Sequence, residues 1–165
     1  FFEKAFLKRE ANKQEWWRAR VVETDNGKTE EAVFEALFSA PDKSGEQKIL
    51  RMRAKLPGQA KGGEVPITAQ NQDSWVLRPS GQLTPESLKG ATVGTETVTV
   101  PAGTYQKARH VRFIQGAGQV DWWLSDAVPG GVVKYTFTST DEDSGQAETS
   151  TMQLKKAGTG AKPML

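Results

Sequence analysis

The sequence predicts a mainly β protein built on a single curved antiparallel sheet, a half-barrel or partly closed barrel of about eight or nine strands. Three observations point there. Most of the chain alternates apolar and polar residues with period two. Turn-forming residues such as Asn26-Gly27, Pro101-Ala102-Gly103 and Val128-Pro129-Gly130-Gly131 punctuate that alternation. No strand–helix–strand rhythm and no internal repeat of fixed period is visible.

The first hairpin follows from its turn. Asn-Gly suits a two-residue type I′ loop, because both central residues need positive φ. With Asn26 and Gly27 as the loop, Trp17 faces Ala36, Ala19 faces Phe34 and Val21 faces Ala32, a wholly apolar side. The opposite side pairs Trp16 with Leu37, Arg18 with Glu35, Arg20 with Val33 and Val22 with Glu31. A third strand is expected over 48–56, with Leu50, Met52, Ala54 and Leu56 on the core side and Arg51, Arg53 and Lys55 on the charged side. Arg18, Glu35 and Arg53 then form a charge ladder, read as a solvated face in preference to an anion platform.

Between residues 57 and 94 the alternation breaks down, and only 74–78 resembles a strand. This Pro/Gly-rich stretch is expected to be an irregular, lid-like insert covering one sheet face. Thr84-Pro85 through Gly90 reads as one helical turn, with Thr84 as N-cap and Pro85 at the first position. The second half returns to strands: 95–100 with Val98 and Val100 inward, then 104–115, 119–125, 132–140 and 149–156. A loop at Ser144-Gly145 sets Phe137 opposite Met152 and Tyr135 opposite Leu154. The other candidate helix is 1–11, with Phe2, Ala5 and Phe6 along one stripe. Residues 1–157 are expected to form one domain and 158–165 a flexible tail.

Composition narrows the function classes. The 165 residues include no Cys, which excludes disulfides, thiolate zinc sites and thiol nucleophiles. There is one His, His110, too few for most imidazole metal sites or catalytic relays. It reads as a hydrogen-bonded structural residue with no carboxylate motif near it in sequence. No G-x-S-x-G elbow is present, and the Asp141-Glu142-Asp143 cluster is explained by turn propensity without EF-hand spacing. Neither a metal nor a cofactor is expected. Balanced charge, +2 overall, argues against a nucleic-acid partner. No apolar run approaches the roughly 18 residues of a membrane span. The opening Phe1-Phe2-Glu3 is read as the start of a processed or trimmed chain.

The two Trp-Trp pairs, Trp16-Trp17 and Trp122-Trp123, place neighbouring indoles on opposite sides of a strand. Both sheet faces are therefore expected to be partly covered there, by a helix, by the insert, or by a ligand or partner.

Three stretches together carry a resemblance. Glu15-Trp16-Trp17-Arg18-Ala19-Arg20-Val21-Val22 resembles the opening "G-x-W-x-x-Y-x-V" strand of uncharacterised bacterial envelope domains. Val98-Thr99-Val100-Pro101-Ala102-Gly103-Thr104-Tyr105 resembles their "V-x-V-P-A-G-T-F" hairpin. Trp122-Trp123-Leu124-Ser125 through Val132-Val133-Lys134-Tyr135 resembles their "W-x-S…V-P-x-G-V-V-K" segment. Such domains are similar to the LolA/LolB half-barrel superfamily of periplasmic lipoprotein carriers. The resemblance implies a non-enzymatic module of the periplasm or outer-membrane periphery, with an apolar groove for a lipid or acylated protein. Trp16, Trp75, Phe113, Trp122, Trp123 and Tyr135 are the candidate groove residues. The alternatives are a structural or interaction module of an envelope complex and, last, a hydrolase, which would need His110 in a cleft beside a Ser or carboxylate.

Overall fold

The chain reverses where the first turn was expected: Gly27 takes φ 75°, and β1 (Glu15–Asp25) folds back on β2 (Lys28–Phe38). The register is the expected one, with Trp17 opposite Ala36, Ala19 opposite Phe34 and Val21 opposite Ala32. The computed structural model describes residues 15–25, 27–39, 48–67, 90–115, 118–129, 131–141 and 144–159. Along the described chain follow β3 (Ile49–Lys55), β4 (Gly63–Val65), β5 (Thr92–Val100), β6 (Gly103–Gln115), β7 (Gly118–Leu124), β8 (Val132–Thr140) and β9 (Ala147–Thr159). They form one nine-stranded sheet in the order β4-β3-β2-β1-β9-β8-β7-β6-β5. Every neighbouring pair is antiparallel.

The last strand unites the sheet. β9 enters between β1 and β8, so the four N-terminal strands and the four strands before β9 share it as a common neighbour. It extends further than the sequence pattern indicates: Gly158 pairs with Trp16 and Thr159 with Glu15. Residues 158 and 159, expected to belong to the tail, are instead ladder partners of the beginning of β1. Residues 160–165 lie outside the described residues.

Three other expectations change. In β3 a bulge between Leu37 and Phe38 pairs Phe38 with Ile49. An extra residue in one strand switches the facing of everything beyond it. Ile49 is consequently buried at 2% exposure while Leu50, expected inside, is 50% exposed. Leu56 lies past the strand and is also exposed. The β8–β9 hairpin is longer than a Ser144-Gly145 loop: Asp141 N–H donates to the Gln146 carbonyl at 2.9 Å, and the Asp141 carboxylate accepts from Ser144 N–H at 2.6 Å. This Asp-centred turn moves the register by two, placing Tyr135 opposite Met152 and Phe137 opposite Ser150. A two-residue change preserves which face each residue occupies. Finally, both ends of the 57–94 insert belong to the sheet, through β4 and the start of β5. The expected strand at 74–78, nearly all of the expected turn at 84–90, and the expected helix at 1–11 fall outside the described residues.

The inward face carries the core: Phe34, Ala36, Phe38, Ile49, Met52, Ala54, Val98, Val100, Val111, Leu124, Val132, Val133, Met152 and Leu154 are buried together. Val128 joins them from the β7–β8 connection, whose turn is closed by Gly131 N–H donating to the Val128 carbonyl at 2.9 Å. The sheet curls toward this face. Just beyond the last β8–β9 pair, Lys134 with Gln153, the Leu154 carbonyl accepts the Ala102 N–H at 3.0 Å. Ala102 sits in the β5–β6 turn, so the outermost hairpin reaches back over the core to β9. The remaining edge strand, β4, stays apart, and the result is an open half-barrel.

Candidate functional site

Strand pairing sorts the two indoles of β7. Trp122 lies opposite Val111 and Tyr135, whereas Trp123 lies opposite His110 and Lys134. Successive side chains in a strand point to opposite faces, so one indole joins the core face and the other the outer face.

On the core face, three aromatic side chains run across β6, β7 and β8. Phe113 meets Trp122 edge-on, with ring centroids 5.5 Å apart and planes at 67°. Trp122 meets Tyr135 at 6.0 Å and 35°. Offset and edge-on geometries suit the ring quadrupoles. All three are partly buried and packed against the core. Burial pushes the Tyr135 hydroxyl above its ordinary pKa, and the nearby charge of Glu23 adds to this. The Trp122 Nε1–H is shielded from solvent and has no hydrogen-bond partner among the described residues. Such a buried donor is uncommon and costs about 1–3 kcal/mol.

The outer face holds a polar cluster. Asp121 is buried, and its carboxylate accepts from His110 Nε2 at 2.5 Å, Arg112 Nε at 2.8 Å and Gln119 Nε2 at 2.7 Å. Burial alone would raise its pKa; hydrogen bonds from His110, Arg112 and Gln119, with the Arg112 charge, outweigh that and hold the carboxyl below its usual range. His110 Nδ1 lies 3.2 Å from Glu96 Oε1, and the Trp123 Nε1–H donates to the same oxygen. The imidazole stacks on Trp123 at 4.6 Å and 16°, and Lys134 Nζ sits 4.5 Å from the Trp123 ring centre. His110 is thus hydrogen-bonded to Asp121 through Nε2 and carries Nδ1 beside Glu96.

Of the six candidate groove residues, the structure brings together Phe113, Trp122 and Tyr135. It sets Trp123 on the opposite face, covered by His110 and Lys134, so a single groove does not contain both β7 indoles. For Trp16 only the backbone pairing with Leu37 and Gly158 is described, and Trp75 lies outside the described residues. The partners of His110 escape a search for carboxylates nearby in sequence, because Asp121 and Glu96 arrive by strand pairing. A signal for one of them was present: a two-residue β6–β7 loop at Gly116-Ala117 implies Arg112 opposite Asp121 and His110 opposite Trp123, as observed. Among the described residues, no group of three or more His, Asp or Glu side chains has the arrangement to hold a metal ion.

No protein-family model and no curated protein matches the chain. Among solved structures it is similar to MucB, at 14% identity and TM-score 0.43, covering 99% of this chain and 59% of that one. It is also similar to the Pseudomonas aeruginosa MucA/MucB complex, at 18% identity and TM-score 0.38, covering 98% of this chain and 59% of that one. A LolA superfamily protein from Nitrosomonas europaea matches at 11% identity and TM-score 0.25, over 98% of this chain and 93% of that one. The chain therefore spans about three-fifths of the MucB length. The half-barrel itself is established by the strand order and curl described above.

Proposed function

We propose that this chain is a non-enzymatic module of the bacterial envelope, at the periplasm or outer-membrane periphery, that receives a lipid or acylated protein on the inward face of its half-barrel. The observation that carries the reading is the Phe113–Trp122–Tyr135 row, whose Trp122 Nε1–H is without a partner among the described residues. An acyl ligand offers methylenes to the rings and an ester or amide oxygen to the indole, removing the cost of the orphan donor. The sequence resemblance to lipoprotein carriers supports the same class. Against a hydrolase stands the setting of His110, whose Nε2 is held by the buried Asp121 and whose ring is stacked flat on Trp123.

Native mass spectrometry of gently purified protein, followed by titration with a fluorescent fatty acid, tests the reading. Co-purifying lipid, or saturable binding weakened roughly tenfold in Trp122→Phe, is expected, the loss corresponding to one buried hydrogen bond. Protein free of lipid and indifferent to added acyl chains overturns it and leaves the second reading, an interaction module within an envelope complex.

A further inference from the structure

The outer-face cluster has no part in that reading, and its geometry asks for a proton. A neutral imidazole has one N–H and one lone pair, whereas an imidazolium has two N–H donors. His110 presents Nε2 to Asp121 at 2.5 Å and Nδ1 to Glu96 at 3.2 Å. Only the doubly protonated ring turns an N–H toward each of the two carboxylates and pairs its charge with Glu96. When the ring is neutral, one of its nitrogens turns a lone pair toward an anion.

Burial decides which contact gives way. Asp121 is almost enclosed, with 8% of its side chain exposed, and is also held by Arg112 and Gln119. Glu96 is 50% exposed and can exchange His110 for water. The remaining N–H therefore stays on Asp121, and Glu96 is the partner released.

Glu96 lies where the backbone ladder is irregular. β5 is an outer strand of the sheet, and its pairing with β6 is interrupted twice, between Thr92 and Gly94 and between Glu96 and Val98. The β6 side of the second irregularity contains Lys107 at φ 55°, an unusual conformation for a side-chain-bearing residue. Across this gap the Glu96 carboxylate reaches His110 on β6 and Trp123 on β7, fastening β5 to both neighbours.

We propose that His110, Glu96 and Trp123 form a proton-operated latch that holds the Thr92–Glu96 end of β5 against the sheet and loosens as the pH rises. Among the described residues, the charged and titratable groups around the imidazole are Glu96 on β5, Arg112 on β6, Asp121 on β7 and, across the Trp123 ring, Lys134 on β8. The latch is closed while His110 carries both ring protons. Loss of one removes the charge-assisted contact to Glu96, and the segment between the two bulges then opens more often.

The chain has a single His, so its ring signals in a nuclear magnetic resonance titration belong to His110 without ambiguity. Amide exchange measured in parallel from about pH 5 to pH 9, expressed as protection relative to the intrinsic rate, reads the latch directly. Protection at residues 92–96 is expected to fall roughly two- to fivefold as His110 loses its proton, the size of one half-exposed ion pair. The β8–β9 hairpin amides should hold their protection, separating local release from global unfolding. Glu96→Gln keeps an oxygen for Trp123 but removes the charge, and its protection at 92–96 should not follow His110. Flat protection in the parent protein while His110 titrates, or the same pH dependence in Glu96→Gln, overturns the proposal.

Discussion

Trp122 and Trp123 are chain neighbours that belong to different environments: one ring lies between Phe113 and Tyr135 over the core, the other between His110 and Lys134 on the outer face. Replacing them should therefore cost differently. Trp122→Ala leaves a cavity beside the core and is expected to destabilise by about 3 kcal/mol. Trp123→Ala loses a stacked ring, a cation contact and a hydrogen bond on the outer face, for about 1–2 kcal/mol. Urea unfolding of both variants checks the order, which is reversed if Trp123 is the packing residue.

Asp121 predicts an acid-side instability. Its folded pKa lies below the ordinary carboxylate value, so at acid pH the unfolded chain binds more protons than the folded one. The stabilisation is complete above about pH 4 and is lost as the pH falls through the folded value. Asp121→Asn should remove that part of the pH dependence. It should also cost about 2–3 kcal/mol at neutral pH, because His110 and Arg112 lose a buried anionic partner. Stability curves between about pH 2 and pH 7, with a slope unchanged in the variant, would count against the assignment.

Local pairings were legible in the residues because turn chemistry sets register: Asn26-Gly27 alone determines every partner from Asp25–Lys28 to Glu15–Phe38. Long-range pairing was not. No turn connects β1 to β9, and nothing in either strand specifies that Gly158 should meet Trp16. Bulges were equally silent, since the extra residue beside Phe38 exchanges Ile49 for Leu50 within an apolar pair that alternation alone reads the other way. The site divides along the same line. The separation of the two β7 indoles follows from strand geometry, whereas the contact of Glu96 with His110 depends on bulges in β5–β6 that composition does not announce.

Lys107 offers a stabilising substitution. At φ 55° its Cβ crowds the following peptide, a cost of roughly 1–2 kcal/mol that glycine does not incur. The side chain is exposed, so little packing is lost with it. Lys107→Gly is expected to raise stability by about 1 kcal/mol, the remainder being offset by the greater freedom of glycine in the unfolded chain. An unchanged or lower melting temperature would show that this bend is not strained.

The two tyrosines extend the pH behaviour to the alkaline side. Burial raises Tyr105, and burial with the charge of Glu23 raises Tyr135, so in both cases the folded protein holds the phenolic proton longer than the unfolded chain. The sign is opposite to that of Asp121. The contribution is fully present below the ordinary tyrosine value of about pH 10 and is lost as the pH rises through the folded values. Because the chain has only these two tyrosines, phenolate absorbance in an alkaline titration reports them alone. Both should ionise later in native protein than in urea, and Tyr135→Phe should leave the single transition of Tyr105 while making unfolding less sensitive to alkali. Native and unfolded titrations that coincide would mean that Tyr135 is open to water, and would remove the apolar setting on which the aromatic row beside Trp122 depends.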